Sequence, residues 1–340
     1  MSFSEWSGGT INMGSYLVYS LFRFVTRPRP HIFCKKFKFA MHSKMITDDE
    51  KRLQRTNSTE VFKANAAMKF IGEEHQEIMN MKVKGTLNSF ISTEMPKNGE
   101  LDTVELCFDH NRVILSEETK SNRAINASYI DGEVPRTYIV TVTPDSEDAI
   151  HNFWKMVWEQ KSELIVMLNK PNKNEKGKIY WNVEERSTFH CGKINIETLK
   201  NQSCFPSFEI TKLLVTHEDE GSLLVDQIVY RNWQKIDVLP PKNDLLELMN
   251  MTRLYHQYGG SSLILNGRKS PMIVHCSDGL LRSMTFCAID ISIDQIQQVG
   301  KANIKSIVSR LREQRFNCLS HLRYYYYCYE TFSYYFENLM

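Results

Sequence analysis

Cys276 and Arg282 stand six residues apart within the stretch Pro271–Ser283. That spacing lets both face one bound anion if the residues between them curl into a loop with inward N–H groups. A thiol is a useful nucleophile only as its thiolate, and loop amides, a helix N-terminus and a guanidinium all favour that form. Arg282 can grip two oxygens of a phosphate in a planar fork, which a lysine could not match. Ser277, Asp278, Gly279, Leu280, Leu281, Arg282 and Ser283 are therefore the candidate phosphate ligands, with Cys276 as nucleophile. The Ser283 hydroxyl would also steady Cys276 as a leaving group, and His275 is expected to support the loop by hydrogen bonding. A cysteine and an arginine at this separation occur by chance. Chance is a poor account once His275 precedes the cysteine, Gly279 sits inside the loop and Ser283 follows the arginine.

The chemistry needs a strand to deliver Cys276 and a helix to receive Arg282. Met272–His275 is an apolar run of strand length, and Leu281–Val299 places Met284, Ala288, Ile291 and Gln295 on one helical side. Strand, glycine-containing loop and helix thus follow directly, the geometry in which loop amides and a helix N-terminus hold phosphate. Further strand-like runs fall at Val113–Leu115, Tyr138–Val142, Leu164–Leu168, Leu213–Thr216 and Leu223–Trp233. Helical patterns cover Ala149–Gln160 and Asp244–Tyr255, and a longer one starts at Ser58 with Val61, Phe62, Met68, Ile71 and Ile78 on its apolar face. These runs predict one α/β (α+β) domain over residues 46–340, with a highly twisted mixed sheet flanked by helices.

Residues 1–45 differ: an apolar run from Tyr16 to Val25 is followed by Arg27, Arg29, Lys35, Lys36 and Lys38. The run is too short to span a bilayer and lacks a signal peptide's features, so a poorly ordered N-terminal extension is expected. The net charge of +2 gives no footprint for nucleic acid. Eight cysteines without a C-x-x-C pair or metal-ligand spacing predict reduced thiols, with no metal site and no cofactor.

The residues quoted so far resemble the signature of the protein tyrosine phosphatases, His-Cys-Ser-x-Gly-x-x-Arg-Ser. Asp109–Val113, Asn126–Gly132, Phe153–Glu159, Val166–Leu168, Tyr180-Trp181 and Leu311–Arg315 look like that family's framework motifs, in the family's order, over residues 60 to 335. The chain looks most like the phosphatase-like proteins that bracoviruses of parasitoid wasps deliver to insect cells. The resemblance implies a phosphatase fold, phosphotyrosine proteins or peptides as partners, a monomer, and the cytoplasm of the infected host cell.

Set against the family pattern, the catalytic accessories are altered. The family's Trp-Pro-Asp loop corresponds to Trp233-Gln234-Lys235, so Trp233 is kept while Lys235 stands at the general acid's position. Asp237, two residues on, is a candidate substitute. The water-positioning glutamines fall on Ser320 and Tyr324, with His321 beside the first. The loop whose tyrosine stacks on substrate corresponds to Gly99–Asp102, which holds no aromatic, and Val104 replaces a substrate-binding aspartate. Glu175 matches the glutamate that braces the arginine. Inside the cradle, Asp278 replaces a small residue and Leu281 a glycine. A carboxylate there is expected to repel a dianion and raise the Cys276 pKa, and the bulk of Leu281 to distort the loop. The expectation is a phosphatase-like protein of little or no activity that acts by binding phosphotyrosine proteins or other signalling partners. The alternatives are an active enzyme using Asp237 or solvent as acid, and a vestigial cradle with a working surface elsewhere.

Overall fold

The computed structural model describes residues 57–87, 107–116, 125–170, 177–203, 205–258 and 269–338, with side chains from residue 67 onward except at Tyr258. The N-terminal arm, Gly99–Asp102, Val104 and Glu175 lie outside the described residues.

Eight strands form one mixed sheet: β1 (Ala127–Ile130), β2 (Tyr138–Val142), β3 (Leu164–Met167), β4 (Thr188–Cys191), β5 (Ile194–Gln202), β6 (Phe208–His217), β7 (Gly221–Tyr230) and β8 (Met272–Cys276). Their order is β1-β2-β8-β3-β7-β6-β5-β4. The centre, β2-β8-β3-β7, is parallel, and both flanks are antiparallel. Parallel strands covered on both faces need continuous apolar sequence, and Leu-Ile-Val-Met in β3 and Met-Ile-Val-His-Cys in β8 are buried at every position. Strand β6 instead alternates buried and half-buried residues along most of its length, as one dry face requires.

The helices are α1 (Asn57–Met79), α2 (Glu147–Glu159), α3 (Lys242–Tyr258), α4 (Arg282–Val299), α5 (Ile304–Gln314) and α6 (Leu322–Asn338). Two apolar cores flank the sheet. Alternation along β8 sends Val274 and Cys276 into the core built with α4, and Ile273 into the core built with α2. This side choice points the thiol at the start of α4.

Several expected elements change. Helix α4 is buried from Arg282 through Ile293, because the sheet, α5 and α6 enclose it, so the single stripe of Met284, Ala288, Ile291 and Gln295 was too narrow. On α1, Met68 is exposed and the buried face is Ile71, Glu74, His75 and Ile78. Its polar members are satisfied: Glu74 accepts from the Tyr325 and Tyr329 hydroxyls, and His75 Nε2 bonds the Leu319 carbonyl at 3.0 Å. Val113–Leu115 forms no strand; an isolated bridge pairs Arg112 with Ser128. Strand β7 ends at Tyr230, leaving Trp233 to the following loop. Among the described residues, no helix is long and apolar enough to cross a membrane.

Candidate active site

The loop 277–281 joins β8 to α4, so Cys276 ends a strand and Arg282 opens a helix. Gly279 makes the turn possible: its φ is +63°, and a Cβ there would lie 2.8 Å from the Thr141 carbonyl oxygen. Two outward carbonyls are held from behind. Arg315 Nε donates to Gly279 O at 3.3 Å, and the Leu319 amide to Leu280 O at 3.3 Å. The Ser277 amide donates to Asn169 Oδ1 at 3.1 Å. Arg315 is itself buried, its guanidinium bonded to Asn126 Oδ1 at 2.7 Å, Ser128 Oγ at 3.0 Å and Cys107 Sγ at 2.9 Å. Leu281 does not distort the loop. Its backbone is right-handed (φ −95°, ψ −68°), so no glycine is needed, and its side chain is absorbed by the core.

Asp278 turns inward. Its Oδ1 accepts from the amides of Leu280 at 2.8 Å and Leu281 at 3.2 Å, and from the Cys276 thiol at 3.1 Å. A carboxylate thus occupies the donors that a phosphate oxygen would need. Cys276 is fully buried, and burial, then the Asp278 charge, push its pKa up to about 12. The Arg282 charge and the Ser283 hydroxyl, 3.0 Å from the sulfur, pull the other way and are outweighed. The Gly279 amide also donates to the sulfur, at 3.3 Å. Asp278 acts in the direction expected of a carboxylate at this position, but burial is the larger cause, and both hold Cys276 toward the thiol at neutral pH.

Arg282 is buried, with Nη1 donating to Ser277 Oγ at 2.8 Å and Nη2 to the Gln234 carbonyl at 3.3 Å. His275 also departs from expectation, since its partners lie outside the loop. Its Nδ1 is 3.0 Å from Thr143 Oγ1 and its Nε2 2.8 Å from the Tyr180 hydroxyl. Gln227 donates to that hydroxyl at 2.8 Å, which leaves the Tyr180 proton for Nε2 and the Nδ1 proton for Thr143. Burial lowers the His275 pKa to about 3, so the ring is a neutral strut behind the cysteine.

The loop after β7 covers this site. Trp233 is fully buried and stacks on Tyr324 with centroids 6.0 Å apart. Lys235 and Asp237 are both exposed, together with Ile236 and Val238. Ser320 is half-buried and His321 exposed, whereas Tyr324 is buried beneath the loop and bonds to it. Asn169, Asn126 and the bracing role of Arg315 were missed by sequence reasoning, because they serve the loop from distant parts of the chain. The signals available were the Asn126–Gly132 and Leu311–Arg315 motifs, which contain Asn126 and Arg315.

The arrangement stores a protonated thiol, a buried guanidinium and an internal carboxylate in one cradle. Residues 94–334 match the family model described as protein-tyrosine phosphatase. The chain is 33% identical over 287 residues to tyrosine phosphatase-like protein J1 of Microplitis demolitor bracovirus, covering 82% of this chain and 91% of that protein. It is 32% identical to tyrosine phosphatase H2 of the same virus, covering 77% of this chain and 82% of that protein. Human tyrosine-protein phosphatase non-receptor type 9 is 27% identical over 77% of this chain and 45% of its own length.

Proposed function

The chain belongs to the protein-tyrosine phosphatase family, and within it we propose a member without effective turnover, which engages partner proteins of phosphotyrosine signalling while its cradle is filled from within. The observation that carries this reading is the Asp278 carboxylate, bonded to two loop amides and to the nucleophile. Catalysis here requires a thiolate and an empty anion site, and Asp278 opposes both. The remaining substitutions act on other steps. Lys235 cannot give a proton to a leaving phenolate as a carboxylic acid does, and loss of a positioned acid typically costs roughly a hundred- to ten-thousand-fold. Tyr324 is held by a loop carbonyl, where a water-orienting amide would be needed. The likeness to bracovirus proteins supports a setting in the cytoplasm of the infected host cell, acting on that cell's signalling.

The purified protein is expected to show no Cys276-dependent hydrolysis of phosphotyrosine peptides above background. Vigorous turnover abolished by Cys276→Ser contradicts the reading. If Asp237→Asn then lowered that turnover in a pH-dependent way, the protein would be an enzyme with Asp237 as its acid.

A further inference from the structure

The loop over the cradle, residues 233–240, is fully exposed only along its crest, from Lys235 to Val238. Its inner side is tied down at three carbonyls. Arg282 Nη2 donates to Gln234 O at 3.3 Å, the Tyr324 hydroxyl to Ile236 O at 2.7 Å, and the Tyr327 hydroxyl to Pro240 O at 2.7 Å. Both tyrosines come from the first turns of α6, and both also pack on Trp233, Tyr324 stacked and Tyr327 edge-on. Trp233 is fully buried, and Tyr324 and Tyr327 almost so.

We infer that Tyr324 and Tyr327 form a latch that holds this loop shut over Cys276 and Arg282. A loop that opens must release its inner carbonyls to water and lift its anchoring side chain from the core. Here each release breaks a buried hydroxyl–carbonyl bond, and lifting Trp233 separates two aromatic contacts. The two hydroxyls sit three residues apart on one helix, about one turn, so they grip the loop at two points along its length. A grip at two points restrains rotation as well as lifting. The loop is thereby held down against Arg282 by residues of this chain alone.

As regulation of that site the latch rests on the reading of a member without turnover; as a set of contacts it does not, because loop motion is measured without any phosphate ligand. Hydrogen–deuterium exchange of the full chain is compared for wild type, Tyr324→Phe, Tyr327→Phe and the double variant. Phenylalanine keeps the rings on Trp233 and removes only the hydroxyls. Peptides covering 234–241 are expected to exchange roughly three- to tenfold faster in each single variant and faster still in the double variant, with β3 and β8 unchanged. Tyr326→Phe, on the same helix, is expected to leave the loop at the wild-type rate. Unchanged loop exchange in the double variant overturns the inference. An equal acceleration across the sheet overturns it as well, since the hydroxyls would then support the fold rather than the loop.

Discussion

Asp278 Oδ1 takes two amides and faces the sulfur, so a single side chain alters the occupancy of the anion site and the proton affinity of its nucleophile together. A thiol with a pKa near 12 carries a vanishing thiolate fraction at neutral pH. Alkylation of Cys276 by iodoacetamide, followed by peptide mass spectrometry, is therefore expected to be slow at pH 7 and to keep rising through pH 10 without a plateau. Asp278→Ala removes the like charge, though not the burial, and should lower the midpoint by roughly one to two pH units. A plateau below pH 8 in the wild type would contradict the account. The Cys276–Arg282 pair and the need for Gly279 were legible in the sequence because they lie within one local loop. The direction of Asp278 was not, since loop closure decides which acceptor reaches the amides. Nor was the role of Leu281, whose helical backbone makes its Cβ harmless.

The cradle keeps its shape because other elements hold its outer side. Arg315, just after α5, reaches the Gly279 carbonyl and is shared with Asn126 and Ser128. Arg315→Met retains much of the apolar bulk but leaves buried acceptors unpaired, and should cost about 2–4 kcal/mol in urea unfolding, with the midpoint lowered. A cost below about 0.5 kcal/mol would show that the brace is dispensable. Strand β8 and helix α4 were readable as the unit that positions the site, since a buried parallel strand needs an unbroken apolar run. The covering of α4 was underestimated, because one periodic stripe cannot reveal how many neighbours enclose a helix. Helix α1 shows the reverse error. The apolar pattern of Val61, Phe62, Met68, Ile71 and Ile78 leaves out Glu74 and His75, yet the Tyr325 and Tyr329 hydroxyls and the Leu319 carbonyl meet them in the core.

At the scale of the whole molecule, three buried or partly buried histidines among the described residues have pKa values lowered mainly by desolvation: His275 to about 3, with His75 and His256 also below their ordinary value. Each takes up a proton more readily in the unfolded chain, so its contribution to stability is complete above about pH 6.5 and is lost as pH falls below it. For His275 the loss is about 1.4 kcal/mol per pH unit until its folded pKa is approached. Between pH 6.5 and pH 5.0 the His275 contribution in urea unfolding should therefore fall by about 1.5 kcal/mol, with Asp294, whose carboxyl is raised to about 6 by burial, acting in the opposite sense. His275→Gln should remove about one proton from that pH slope, whatever it does to stability at pH 7; an unchanged slope would contradict the buried neutral ring. The mixed sheet with helices on both faces was legible from the runs at Tyr138–Val142, Leu164–Leu168 and Met272–His275. Which loops close over the site depended on Tyr324 and Tyr327, whose partners lie more than eighty residues away in sequence.

The claim at the centre of these results is that Asp278 occupies the anion site of its own cradle. Calorimetric titration with orthovanadate tests it most directly, comparing wild type, Asp278→Ala and Asp278→Ala with Arg282→Ala. The account predicts no saturable binding to the wild type, saturable binding to Asp278→Ala, and its loss when Arg282 is also removed. Tight binding to the wild type that Arg282→Ala abolishes would contradict it.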